Sequence, residues 1–78
     1  MKKKSDAFGP VLRRIRLEKR LTQEELSERL GVAAPYVSML ESGHKYPNLE
    51  MFFRIAESLS VSPSSIMEEM ESRIRRNL

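Results

Sequence analysis

"TQEELSERLGVAAPYVSMLESG", residues 22–43, contains two short helical segments and the turn between them. Thr22 and Glu25 stand in the capping-box relation, in which the hydroxyl takes a backbone N–H and the carboxylate reaches back to the cap N–H. Leu26 and Leu30 follow one turn apart on a single face, and Gly31 supplies the left-handed conformation that ends a helix. The spacing predicts a helix over about 23–30. A second helix fits Ala34 to Ser42, with Val37 and Leu40 inward and Gly43 at its end. Its expected cap, Ala33, lacks a side-chain oxygen, which costs about 1 kcal/mol against serine.

The flanks are helical too. Phe8, Val11, Leu12 and Ile15 recur at three and four residues, so a first helix precedes the quoted stretch. It starts either after Asp6 or with Gly9 as cap and Pro10 as first helical residue, and proline's preference for that position favours the second. "GHKYPN" reads as a loop, and Asn48 caps a fourth helix with Leu49, Phe52, Phe53, Ala56 and Leu59 as its buried stripe. Ser62 and Pro63 open a fifth helix that runs toward the C-terminus, supported by the pairs Glu69–Arg73 and Glu71–Arg75. Nothing reads as a strand, so the expected fold class is all-α, with five helices and a helix-turn-helix formed by the second and third. The expected organisation is a basic flexible arm over residues 1–6, the folded domain over 7–67, and a C-terminal extension of helix 5 over 68–78.

The totals narrow the function. A chain of 78 residues makes one small domain with a small core, for which a partner subunit is a natural support. With 40% hydrophobic and 32% charged residues it falls in the soluble globular class. There is no cysteine, hence no disulfide and no thiolate metal site. No apolar run suits a signal peptide or a membrane span, so the default location is the cytoplasm. Net charge is +3, but eight of the fourteen Lys and Arg residues lie in the first twenty positions, against Asp6 and Glu18. Such a block suits a polyanion, nucleic acid or an anionic membrane surface, or else a solvated face. His44 is the only histidine, with no acid at ligand spacing beside it, so neither a metal site nor a nucleophile–base pair can be assembled. Glu24, Glu25 and Glu28 form a solvated helix face, and no phosphate-cradling glycine pattern occurs. No enzyme, no cofactor and no metal are expected.

"TQEELSERLGV", "YVSMLESG" and "PNLEMFFRIAESLSV", at these spacings, resemble the Cro/C1-type (Xre) family of bacterial and phage DNA-binding domains. The likeness runs from about Phe8 to Met67 and implies the lambda-repressor-like fold. It further implies a structural ion pair between Arg16 of helix 1 and Glu41 at the end of helix 3, the alternative being two separate surface charges.

In this family helix 3 lies in the major groove. The resemblance therefore turns Ala33, Ala34, Pro35, Ser38 and Met39 toward base edges, with Tyr36 beside them. It sets Gln23, at the N-terminus of helix 2, against a phosphate, where free N–H groups and the helix dipole favour an anion. Arg20 near the helix 2 entrance, and His44, Lys45, Tyr46 and Asn48 of the following loop, are the other phosphate candidates. Arg13, Arg14 and Lys19 are read as solvated, and Lys2 to Lys4 as an arm or a disordered tail. None of the six base-facing residues can make a bidentate pair with guanine or adenine, each worth about 1–3 kcal/mol of discrimination. Thymine methyl contact, the hydroxyls of Ser38 and Tyr36, and DNA shape remain, which predicts an A·T-rich site. The alternative is a helix 3 that serves as a protein interface.

A single such module covers little DNA, so a homodimer on double-stranded operator DNA is expected. Two seams are available: Met51 and Ile55, off the main stripe of helix 4, and Ile66, Met67, Met70 and Ile74 on helix 5. Restriction–modification controllers, similarly short members of the family, dimerise through helices 4 and 5. The expected function is a sequence-specific transcriptional regulator. The alternative is an antitoxin or other interaction module whose partner is a protein such as a toxin. The operator, activation against repression, and the dimer geometry stay open.

Overall fold

The computed structural model describes residues 3–76. Among these, a 3-10 helix over Lys4–Ala7 leads into five α-helices: α1 (Phe8–Glu18), α2 (Gln23–Leu30), α3 (Pro35–Ser42), α4 (Leu49–Ser58) and α5 (Pro63–Arg76). No strand forms among the described residues. One core joins all five helices, with Val11 and Leu12 of α1, Leu26 and Leu30 of α2, Val37 and Leu40 of α3, Ile55 and Leu59 of α4, and Ile66 of α5 closed to solvent. Each apolar side chain fully buried this way contributes about 1.5–3 kcal/mol.

Local chemistry sets where the helices begin. Thr22 Oγ1 accepts from Glu25 N at 3.0 Å, and Glu25 Oε1 accepts from Thr22 N at 2.8 Å, which closes the capping box of α2. Those contacts hold the Glu25 carboxyl below the usual carboxylate range, through the Thr22 backbone N–H first. Asn48 Oδ1 accepts from Met51 N at 2.8 Å to start α4, and Ser62 Oγ accepts from Ser65 N at 3.1 Å to start α5.

Four helices end in the same left-handed closure. Gly31 and Gly43 adopt φ of 71° and 82°, and Arg20 and Ser60 take φ of 59° and 57°. In each case the next N–H reaches back five residues, as in Leu21 N to Arg16 O and Val61 N to Ala56 O. Glycine enters this conformation freely, whereas Arg20 and Ser60 bear a cost of about 1–2 kcal/mol each.

Several expectations are corrected. Helix 1 does not begin at a Gly9 cap, because the chain is already helical through Phe8–Pro10. Gly9 packs instead: a Cβ there would lie 2.4 Å from the Glu41 carbonyl oxygen and 2.8 Å from that of Leu40. Residues 4–6 belong to the 3-10 helix, not to a flexible arm, while Met1 and Lys2 lie outside the described residues. Helix 3 starts at Pro35, one residue later than expected, so Ala34 and not Ala33 is its cap residue, with no side-chain hydrogen bond there. In α4 the buried stripe is Phe52, Ile55, Ala56 and Leu59, whereas Leu49 and Phe53 are 66% and 48% exposed. Ile55 is therefore core, not seam, and Ile66 likewise. Arg14, expected to be solvated, forms a two-bond pair with Glu69 at 2.7 and 2.5 Å that ties α5 to α1. The pair raises the Arg14 pKa and lowers that of Glu69, through the shared hydrogen bonds first. Arg73 adds to it from one turn away, at 3.7 Å.

Candidate nucleic-acid interface

Helix α3 is two-faced. Val37 and Leu40 point into the core, so Ala34, Pro35, Ser38 and Met39 are carried outward and are exposed together with Ala33. Tyr36 differs from them: it is half-buried and packs against the core, which leaves only part of it to the outer face. The buried Ser27 hydroxyl of α2 donates to the Ala34 carbonyl at 3.1 Å and fixes the entry of α3. Small or flexible side chains thus stand at the entry and on the outer face of a helix whose position is set by both its neighbours.

The C-terminal end of α3 is held by a buried ionic cluster. Arg16 Nε donates to Glu41 Oε2 at 2.6 Å and Nη2 to Oε1 at 3.1 Å, while Nη1 donates to the Leu21 carbonyl at 2.7 Å. The two side chains are 6% and 4% exposed, so the family pairing is present and lies deep. The Glu41 carboxylate raises the Arg16 pKa through these hydrogen bonds.

Gln23 joins the same cluster, its Nε2 donating to Glu41 Oε1 at 3.0 Å. The side-chain amide expected on a phosphate is thus engaged inside the protein. The second N–H of that amide, and the backbone N–H groups of Gln23 and Glu24 in the first turn, are what α2 still offers an anion, since Glu25 N is taken by Thr22. Arg13, read as solvated, lies with Nη1 3.9 Å from Glu41 and a side chain 61% exposed. No pattern in the sequence marks it as a neighbour of this cluster. Only the packing of α1 against α3 does.

The other cations stand in the turn before α2 and the loop after α3. Arg20 is exposed in the turn that precedes α2, and His44 and Lys45 are exposed in the loop that follows α3. His44 Nδ1 is 2.6 Å from Ser42 Oγ, which leaves Nε2 as the outward nitrogen. The N–H groups of His44 and Lys45 both point back to the Met39 carbonyl, at 2.9 and 3.2 Å. Asn48 spends its Oδ1 on the α4 cap and keeps its amide donors. Tyr46, expected on a phosphate, donates its hydroxyl to the Asp6 carboxylate, which raises the Tyr46 pKa. Basic and donor groups therefore gather at the end of α3, and apolar small residues at its start.

The seam residues divide in the same way. Met67 is 49% exposed, Met70 and Ile74 are half-buried, and all three line a shallow groove on α5 with Lys4 and Ser5. Met51 is half-buried against the core. Sequence reasoning missed Leu49 and Phe53, exposed four residues apart on α4. No group of three or more metal-ligating side chains occurs among the described residues, and none of their helices is long and apolar enough to cross a membrane.

Comparison with known proteins agrees with this geometry. A helix-turn-helix family model matches residues 12–66. The HTH-type transcriptional activator BcrR of Enterococcus faecalis is 38% identical over 64 residues, covering 82% of this chain and 31% of the activator. This chain thus spans about a third of that relative's length. The clp gene regulator ClgR from Corynebacterium glutamicum superposes with a TM-score of 0.91 at 28% identity, over 97% of this chain and 81% of ClgR. The wild-type restriction-modification controller protein C.Esp1396I superposes with a TM-score of 0.86 at 25% identity, over 97% and 99% of the two chains. Family match, fold and the buried Arg16–Glu41 pair coincide, and the chain belongs to the Cro/C1-type (Xre) family of helix-turn-helix DNA-binding transcriptional regulators, which are not enzymes.

Proposed function

We propose that this protein binds operator DNA in the cytoplasm as a homodimer, with α3 in the major groove. The observation that carries the reading is the two-faced α3, anchored through Val37 and Leu40 while Ala34, Pro35, Ser38 and Met39 stand free. Arg20, Lys45, His44 and the N-terminal N–H groups of α2 meet phosphates, and Arg13 joins them from α1. These contacts place the helix without reading sequence. Base preference comes from methyl contact with thymine, from the Ser38 hydroxyl, and from the cost of deforming the duplex. The half-buried Tyr36 contributes only its rim. The dimer seam is the exposed side of α5 at Met67, Met70 and Ile74, with Leu49 and Phe53 of α4 in place of Ile55.

Salt dependence tests the reading. Affinity for duplex DNA falls with salt by a logarithmic slope of about −0.9 per phosphate neutralised. Lys45→Ala and Arg20→Ala each reduce that slope by about one per subunit. A protein that binds duplex DNA weakly with no salt slope, yet co-purifies with a small basic protein, acts as an interaction module instead.

A further inference from the structure

The loop that follows α3 is tied down at a point forty residues away in sequence. Asp6, in the N-terminal 3-10 helix, accepts both from the start of its own helix and from the loop. Its Oδ2 accepts from Lys3 N at 3.0 Å, and its Oδ1 accepts from the Tyr46 hydroxyl. The same Oδ1 lies over the left-handed Gly43, 3.9 Å from where a Cβ would stand. Residues 43–48 form no helix or strand of their own, and their other ties lie at the two ends: His44 and Lys45 N–H to the Met39 carbonyl, and Asn48 at its cap. Tyr46 stands between those ends and carries one hydroxyl proton, which Asp6 takes.

We infer that Asp6 and Tyr46 are positioning residues for DNA binding, a clasp that presets the loop so that Lys45 and His44 meet phosphate. The inference rests on the proposed DNA reading. A hydroxyl that donates to a carboxylate cannot donate its proton to a phosphate as well, so Tyr46 acts through the loop and not by contact. Presetting matters because a loop ordered only on binding loses conformational freedom at that moment, and binding weakens accordingly. The clasp also seats the 3-10 helix between the loop and α5, whose groove Lys4 and Ser5 line.

The test is duplex binding by the full chain and its variants Tyr46→Phe, Asp6→Ala, Asp6→Asn and the double Asp6→Ala/Tyr46→Phe, with Lys45→Ala alongside. Melting curves establish that each is folded. Tyr46→Phe and Asp6→Ala each weaken binding by about three- to tenfold, the equivalent of one hydrogen bond. The double variant is no weaker than the weaker single, because one interaction has been removed twice. Asp6→Asn, which keeps an acceptor for the hydroxyl, recovers most of the affinity that Asp6→Ala loses. Tighter binding by Asp6→Ala overturns the clasp and returns Tyr46 to the phosphate as a donor released from a competing carboxylate. Additive losses overturn it as well, as does unchanged binding in both single variants. Absence of duplex binding by the wild-type chain overturns the DNA reading itself. Loss in Lys45→Ala alone overturns only the clasp.

Discussion

Replacing Glu41 with glutamine removes one charge from a cluster that has almost no access to water. The Arg16 guanidinium is left 6% exposed with the Leu21 carbonyl and one neutral amide oxygen as acceptors, in place of a carboxylate taking two of its bonds. An uncompensated buried cation costs about 3–5 kcal/mol. A domain of this length has roughly 4–12 kcal/mol in total, so the loss takes between a quarter and all of it. At about 4–8 °C per kcal/mol for a domain this small, the melting temperature of Glu41→Gln falls by at least ~12 °C. The double variant Arg16→Met/Glu41→Leu removes both charges. It leaves the Leu21 carbonyl and the Gln23 amide short of a partner, at about 1–3 kcal/mol each if both stay dry. It therefore melts below wild type but well above the sum of its single variants. Urea unfolding followed by circular dichroism measures five proteins at constant m-value: wild type, Glu41→Gln, and the cycle members Arg16→Met, Glu41→Leu and their double. A Glu41→Gln midpoint close to wild type, or strict additivity in the cycle, would refute the reasoning that the pair acts as one buried unit. Arg75→Ala is the control, since the Arg75–Glu71 side chains are 72% and 64% exposed and such pairs give about 0–1 kcal/mol.

Three further outcomes follow from the same structure. Gly9→Ala destabilises by about 1–3 kcal/mol in thermal melts, because the new methyl meets two backbone carbonyls of α3 and outweighs alanine's better helix propensity. Ser60→Gly raises stability by about 0.5–1 kcal/mol by relieving a left-handed residue, and an unchanged or lowered midpoint counts against the strain. The Glu69 carboxyl is held below its ordinary value by Arg14, so its contribution is fully present above about pH 4.3 and disappears as pH falls through the lower folded value. Wild type therefore loses stability on acidification below that point, and Glu69→Gln, melted over the same range, shows a shallower decline.

Where the sequence spoke through local chemistry, the structure follows it closely. The Thr22–Glu25 box, the Asn48 and Ser62 caps and the Gly31 and Gly43 ends each involve neighbours within a turn, so the residue types alone specify the geometry. Misreadings arise where packing decides. Leu49 and Phe53 look like stripe residues, yet the fuller 3–4 pattern of Phe52, Ile55, Ala56 and Leu59 claims the buried face. Gly9 resembles a cap until α3 is seen to approach within a methyl's reach. Arg20 and Ser60 carry no mark of a left-handed turn, because glycine is the usual sign of one. At the candidate site the outward face of α3 was legible from the inward Val37 and Leu40. The engagement of Gln23 by Glu41, of Tyr46 by Asp6 and of Arg14 by Glu69 was not, since these partners stand 18, 40 and 55 residues apart.

In the proposed function, α3 reads DNA with methyls and shape. Selection of bound duplexes from a random library by the wild-type chain tests it most directly. Two symmetry-related half-sites are expected about 10–11 base pairs apart centre to centre, with A·T pairs under α3 and graded preference at flexible steps between them. Invariant G·C pairs under α3, or no enrichment at all from a folded protein, would contradict it.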